Sequence, residues 1–169
     1  MMHKMIKMAT LCAAIVLAGC VGPFMREVPN PGEPVAAVTA KLGQPTGSYP
    51  APEGGQMLEY ATGPMGQFTW MAHIGPDARL LSYEQVLTGE KFATIKIDKA
   101  TKADVLRTIG RPAERSGVAM HNYEVWSYRY KEAGVWNSLM HVHFDQAGIV
   151  RLMQNGPDPM FEPRERFSW

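Results

Sequence analysis

Cysteine is almost missing from this chain. Of its 169 residues only Cys12 and Cys20 carry a thiol, and both lie near the N-terminus. Everything beyond Cys20 must therefore hold its fold without a disulfide, and offers no thiolate for a metal site or a cysteine nucleophile. Clusters of positive charge are missing too. The chain has 17 Lys and Arg against 16 Asp and Glu, a net charge of +1, with no basic run. A nucleic-acid surface concentrates positive charge against phosphate, so no nucleic-acid partner is expected. Long apolar runs are absent as well. The segment from Met8 to Gly19 is about a dozen residues, whereas a membrane span needs roughly 17–25. Catalytic signatures do not turn up. No serine sits in a Gly-x-Ser-x-Gly turn, Glu124 and Asp145 are single acids at strand edges, and "GPMG" and "PEGG" are too short to cradle a phosphate. The expectation is a non-enzyme with no catalytic residue and no cofactor.

What the N-terminus does contain is an export pattern. Lys4 and Lys7 precede the apolar run, which falls within the ~7–15 residues of a signal-peptide core. Pro23, Arg26, Glu27, Pro29 and Pro31 then break any helix. The run ends in "LAGC", Leu17 to Cys20, which resembles the lipobox of bacterial lipoproteins. Small Ala18 and Gly19 suit a peptidase site, and the Cys20 thiol is the nucleophile that would take a diacylglycerol. Cleavage between Gly19 and Cys20 would free an amine for further acylation. Two or more chains give stable anchoring where one gives only marginal binding. Residues 1–19 are thus expected as signal peptide and Cys20 as the lipid attachment. Val21, rather than an aspartate, follows the cysteine, which by resemblance to sorted lipoproteins favours the outer membrane and its periplasmic face. Loss of Lys4 and Lys7 with the leader turns the net charge slightly negative.

Residues 20–33 are rich in Pro and Gly and read as an extended tether, able to hold a domain some 40 Å from the lipid at roughly 3 Å per residue. Beyond it the chain is written twice. "VTAKLGQP", Val38 to Pro45, echoes "VLRTIGRP", Val105 to Pro112. Each reads as a helix end, with Gly43 and Gly110 in a left-handed turn and Pro45 and Pro112 as stops. Pro34 suits a first helical position, with Val35, Val38 and Leu42 inward. Thr101 and Asp104 form a capping-box pattern ahead of Val105, Leu106 and Ile109. After each helix comes a polar Gly/Pro loop, then "MLEYAT" at Met57 matching "VWSYRY" at Val125. "FTWMAHIGPDARLL" at Phe68 then matches "SLMHVHFDQAGIVR" at Ser138. Trp70, Ala72 and Ile74 alternate with Met71 and His73, and Met140, Val142 and Phe144 with His141 and His143. Period two marks strands with one buried face, and "PDAR" and "DQAG" mark turns. The fold class expected is α+β: a first repeat over 34–90, a second over 91–155, and a tail over 156–169. Each repeat is a helix, a loop and a meander of about three strands, with a turn around Gly89 on the way to the second.

Taken in order, the lipobox, the Pro-rich tether, "TKADVLRTIGRP", "YEVWSYRY" and "VHFDQAGIV" resemble the SmpA/OmlA, or BamE-like, lipoproteins. The match is good over Ile95 to Met153 and fainter over Val35 to Leu87. In that family a residue such as Thr101 opens a helix ending in Gly-x-Pro. A Trp-x-Tyr strand follows, matched by Trp126 and Tyr128, and then Phe-Asp and a glycine turn, matched by Phe144, Asp145 and Gly148. The resemblance implies a fold like the β-lactamase-inhibitor protein, in which two such repeats stand side by side. It also implies a role in outer-membrane protein assembly or envelope integrity through a protein partner. Two units here, against one in the assembly subunit, leave none of that subunit's partner-binding residues to carry over.

Three functions follow from the residues. The first is a non-catalytic binding or scaffolding module, with Tyr60, Trp70, Trp126, Tyr128 and Trp136 as the candidate partner surface, since aromatics enrich such patches. The second, by fold analogy, is an inhibitor of a periplasmic or foreign hydrolase. The third is a metal-binding protein. His141 and His143 fall on one side of a strand about 6.5–7 Å apart, with His73 matching His143, but zinc takes three or four ligands and no third is at hand. The expectation is that the histidines stand on a wetter sheet face and that there is no metal.

Overall fold

The structure, a computed structural model, describes residues 27–119 and 122–161. The expected leader, the Gly19–Cys20 cleavage point with its lipid attachment, and residues 162–169 lie outside the described residues. The fold is α+β, with two four-stranded antiparallel sheets and few helices. The first half runs α1 (Val35–Leu42), β1 (Gly47–Pro50), β2 (Gln56–Ala61), β3 (Thr69–Ile74) and β4 (Leu80–Gln85). The second runs α2 (Gly89–Thr94), α3 (Lys102–Ile109), β5 (Glu114–Val118), β6 (Tyr123–Glu132), β7 (Trp136–Phe144) and β8 (Val150–Pro157). Each sheet keeps its strands in chain order, β1-β2-β3-β4 and β5-β6-β7-β8.

The helices form where the sequence signals them. The Thr101 hydroxyl accepts from the Asp104 N–H at 3.2 Å, and the Asp104 carboxylate accepts from the Thr101 N–H at 2.8 Å, a reciprocal capping box. Those contacts also hold the Asp104 carboxyl below its ordinary pKa, the Thr101 backbone bond first. Val105 and Ile109 are fully buried and Leu106 packs at the margin of the same core. In α1, Val38 and Leu42 are buried, but Pro34 is the N-cap rather than the first helical residue, and the helix has no side-chain cap. Both helices stop at glycine in a conformation other than the expected left-handed turn. Gly43 has φ 84°, ψ −169° and Gly110 has φ 79°, ψ −162°. This region is open essentially to glycine alone and costs another residue about 1–3 kcal/mol.

Two further expectations need correction. Each sheet has four strands, not about three, because β1 and β5 arise from segments that read as loops. An alternating pattern reports one buried face; β5 is exposed at every position and carries no such pattern. Residues 89–94 are a helix, not a turn. Thr88 caps it by accepting from the Lys91 N–H at 3.2 Å, but six residues are too few for a helical period to show.

The same contacts recur in both halves. Val35 N–H donates to Ala78 at 2.9 Å, as Lys102 N–H does to Gly148 at 3.0 Å. Leu80 N–H donates to Glu33 at 2.8 Å, as Val150 N–H does to Ala100 at 2.9 Å. Register slips between His73 and Ile74 and again between His143 and Phe144. Each sheet buries one face beneath its helix: Leu58, Tyr60, Ala72 and Ile74 under α1, and Trp126, Tyr128, Val142 and Phe144 under α3. Phe92 of α2 joins the second core.

The opposite face of the first sheet is covered rather than open. It turns toward α2 and α3, where Lys91 pairs with Glu84 at 2.7 Å, and Glu59 and Met71 have no exposed surface. Part of the expected tether also belongs to the folded body. Pro29 is buried, Gly32 N–H donates to Leu80 at 2.7 Å, and Arg79 donates to the Gly32 carbonyl at 2.7 Å.

The glycine at the end of α3 is the test of this geometry. A Cβ at Gly110 would meet the Glu59 carboxylate and Thr69 at 3.1 Å on top of its positive φ. Gly110→Val is expected to destabilise by about 3 kcal/mol in urea titration, the strain value of ~1–3 augmented by overpacking. Gly89 opens a helix with nothing within 4 Å, so Gly89→Ala should change stability by less than about 0.5 kcal/mol. Equal midpoints for Gly110→Val and the parent chain would contradict the assignment of the α3 terminus.

Candidate functional site

The five aromatics expected on a partner surface separate into two groups. Tyr60, Trp126 and Tyr128 are buried and do not form one. Alternation puts them on the helix-covered face. Trp126 lies 4.7 Å from Phe144, ring to ring, beneath the Arg115 guanidinium. Tyr128 donates to the Gly110 carbonyl at 3.1 Å, and burial raises its pKa well above the ordinary value. Trp70 and Trp136 are exposed, at 37% and 69%. Trp70 faces the same side as Ala72 and Ile74, but α1 is two turns long and ends before reaching it. Its ring stacks on Tyr83 at 5.2 Å and 17°.

Trp136 belongs to a set that the strand pattern does not reveal. Asn137 beside it accepts from Gln67 at 2.9 Å through its side chain, and from the Asp158 N–H at 3.0 Å through its carbonyl. These two bonds draw three segments to one end of the molecule: the β2–β3 loop, the start of β7, and the turn after β8. Each contributes exposed apolar side chains there, Met65 and Phe68, Val135 and Trp136, Met160 and Phe161. Residues Ala133 and Gly134 both take positive φ, which makes the tight β6–β7 turn that presents the Trp136 side chain. The turn signal was readable in "EAGVW"; the convergence of three distant segments was not.

Between the halves lies a cleft of about 290 Å³ whose wall includes Glu59, Arg111 and Arg129. Glu59 is the polar residue missed by sequence reading. Its carboxylate accepts from the Thr46 hydroxyl at 3.1 Å, the Tyr49 hydroxyl, the Arg111 N–H at 3.1 Å and Arg111 Nε at 3.3 Å. A buried charge is tolerated when donors replace its lost water, and here they come from both halves. Burial, then the bond to Glu59, raise the Tyr49 pKa, so the hydroxyl remains a donor. Arg129 approaches buried Asp158 at 3.4 Å.

The histidines are less wet than expected. His143 is only 8% exposed, because Val125 and Leu152 flank it across the ladder. His141 Nδ1 lies 2.8 Å from the Ser127 hydroxyl. Among the described residues no group of three or more His, Cys, Asp or Glu is placed to hold a metal ion.

Two measurements test these assignments. Glu59→Ala is expected to cost about 3 kcal/mol, the low end of the ~3–5 for breaking a buried pair, because Arg111 is half exposed. Tyr49→Phe, which removes one hydrogen bond to a charge, should cost about 1.5–3 kcal/mol. Losses below 0.5 kcal/mol would show that the carboxylate does not join the halves. For His143, burial first and then His141 hold the pKa below the ordinary 6.5. The unfolded chain therefore takes up its proton first as pH falls. Stability due to the neutral ring is full above about pH 6.5 and declines from there toward the folded pKa. Between pH 6.5 and 5, above the range of ordinary carboxylates, His143→Gln should flatten the stability profile; an unchanged slope would contradict the burial of this ring.

No protein-family model matches the chain, and no curated protein does. Among solved structures it is similar to a DUF4309 family protein, YjgB, from Bacillus subtilis subsp. subtilis str. 168, at 15% identity over 73% of this chain and 77% of that one, with a TM-score of 0.32.

Proposed function

We propose that this chain is a lipid-anchored, non-catalytic protein-binding module of the SmpA/OmlA kind, built from two tandem copies of one helix-and-sheet unit and held on the periplasmic face of an outer membrane through Cys20. The observation that carries the binding role is the apolar end organised by Asn137. Apolar side chains scattered singly over a surface are ordinary, whereas apolar side chains gathered at one place mark interaction sites. Trp, Phe and Met are the side chains enriched at protein interfaces, and Trp136, Phe68 and Met65 supply all three. They are presented on two hairpin ends tied by the Gln67–Asn137 bond, so a partner would meet a prearranged surface. Lipid anchoring rests on "LAGC", and the tandem copies on the recurring contacts of the two halves. A partner in outer-membrane protein assembly is the scaffolding form of this reading; a captured hydrolase is the inhibitor form.

Photo-crosslinking in intact Gram-negative cells separates them. A crosslinker at Trp136 should give one discrete adduct, while one at Leu81, exposed on β4, should give none. An outer-membrane barrel complex in the adduct supports scaffolding, and a soluble hydrolase supports inhibition. No adduct at 136, or equal labelling from 81, removes the apolar end as the binding surface. Trp136→Ala should abolish the interaction while shifting stability by less than about 0.5 kcal/mol, as exposed substitutions do. Cys20→Ser should leave an uncleaved or mislocalised chain on fractionation; normal outer-membrane retention would sink the anchoring.

A further inference from the structure

We propose that the groove beside Trp70 is the seat of the chain's own segment 21–26, with Phe24 and Met25 as its apolar plug. The groove is large, about 750 Å³, and its walls include Leu42, Tyr60, Trp70 and Tyr83. The second half shows what such ground is built to receive. There the tyrosines of β6 are capped by Phe92 of α2, whose ring meets Tyr130 edge-on at 4.9 Å and Tyr128 at 6.4 Å. The first half has the groove, while the residues that precede α1 in the matching place are those before residue 27.

The chain course supports the match. Gly32 N–H donates to Leu80 at 2.7 Å, and Asp98 N–H donates to Val150, the matching position, at 2.8 Å. Three residues before Asp98, Ile95 is buried in the second core; three residues before Gly32, Pro29 is buried too. Running back from Pro29, Val28 is 67% exposed and already lines the groove. Glu27 pairs with Lys41 in the last turn of α1 at 3.1 Å, which directs the chain along the groove's edge. The next apolar residues upstream are Met25 and Phe24, within about 10–14 Å of Val28 along an extended chain.

The seat itself does not depend on what becomes of Cys20. Its consequence for reach does, and rests on the anchoring proposed above. With Phe24 seated, only three residues separate it from Cys20, and the body stands about 10 Å from the lipid instead of the ~40 Å of a free tether.

The test uses the full chain with p-benzoylphenylalanine in place of Phe24. Irradiation should place intramolecular adducts on Trp70, Tyr83 or Leu42. Adducts to a second copy, adducts only elsewhere, or no intramolecular adduct overturn the proposal. A thermal double-mutant cycle gives an independent reading. Phe24→Ser should lower the melting midpoint by a few degrees in the parent chain and by much less in a Trp70→Ala background. Equal shifts in both backgrounds overturn it. Fractionation of the Cys20→Ser chain reads anchoring separately, so failure of one leaves the other standing.

Discussion

A carboxylate with no exposed surface sets the terms for the rest of this molecule. Glu59 stands on the face of the first sheet that turns away from α1, where a strand of an isolated unit would carry a wet side chain. Its buried oxygens find their hydrogen-bond partners there in Thr46, Tyr49 and Arg111. Two of these partners belong to the first half, and Arg111 follows α3 of the second. The carboxylate also explains the helix end beside it. Gly110 must lack a side chain, because Glu59 and Thr69 occupy the space a Cβ would need. Tyr128 in turn donates to the Gly110 carbonyl. One charge thus fixes the first sheet, the α3 terminus and the second core relative to one another.

This arrangement separates what the sequence states from what only the assembled chain decides. Thr101 with Asp104, and Gly110 with Pro112, act on neighbours a few residues away, so α3 is legible from local chemistry. The alternation of Met140, Val142 and Phe144 likewise reports a single buried face. Glu59 carries no such mark. Its burial depends on a residue 52 positions later in the chain, and an alternating pattern alone assigns it to solvent. The strand aromatics show the same limit from the other side. Tyr60, Trp70, Trp126 and Tyr128 all lie on the helix-facing side of their sheets; which of them is covered depends on how far α1, α2 and α3 extend over them. Composition could not say that α1 stops short of Trp70 while Phe92 reaches Tyr130.

The two halves are therefore alike in their hydrogen bonds and unlike in their coverage. The helix α2 caps one sheet; the first sheet is met on its far side by the second half and on its near side by a short helix. The apolar end around Asn137 is a product of the longer second hairpin, whose β6 and β7 outrun β2 and β3 by several residues. Extension of one hairpin in one half is enough to turn a structural strand end into a displayed Trp136.

The edge strand β5 carries a different implication. Among the described residues no strand pairs with its outer rim, and its sequence, "ERSGV", sets opposite charges and a glycine along the strand. Charge and glycine at a rim discourage a second chain from adding on in register. Molecules confined to a lipid surface meet one another at far higher effective concentration than in solution, and in shared orientation. On the anchoring proposed above, a poorly adhesive rim would keep crowding from becoming polymerisation and leave the proposed apolar end to govern what the molecule touches.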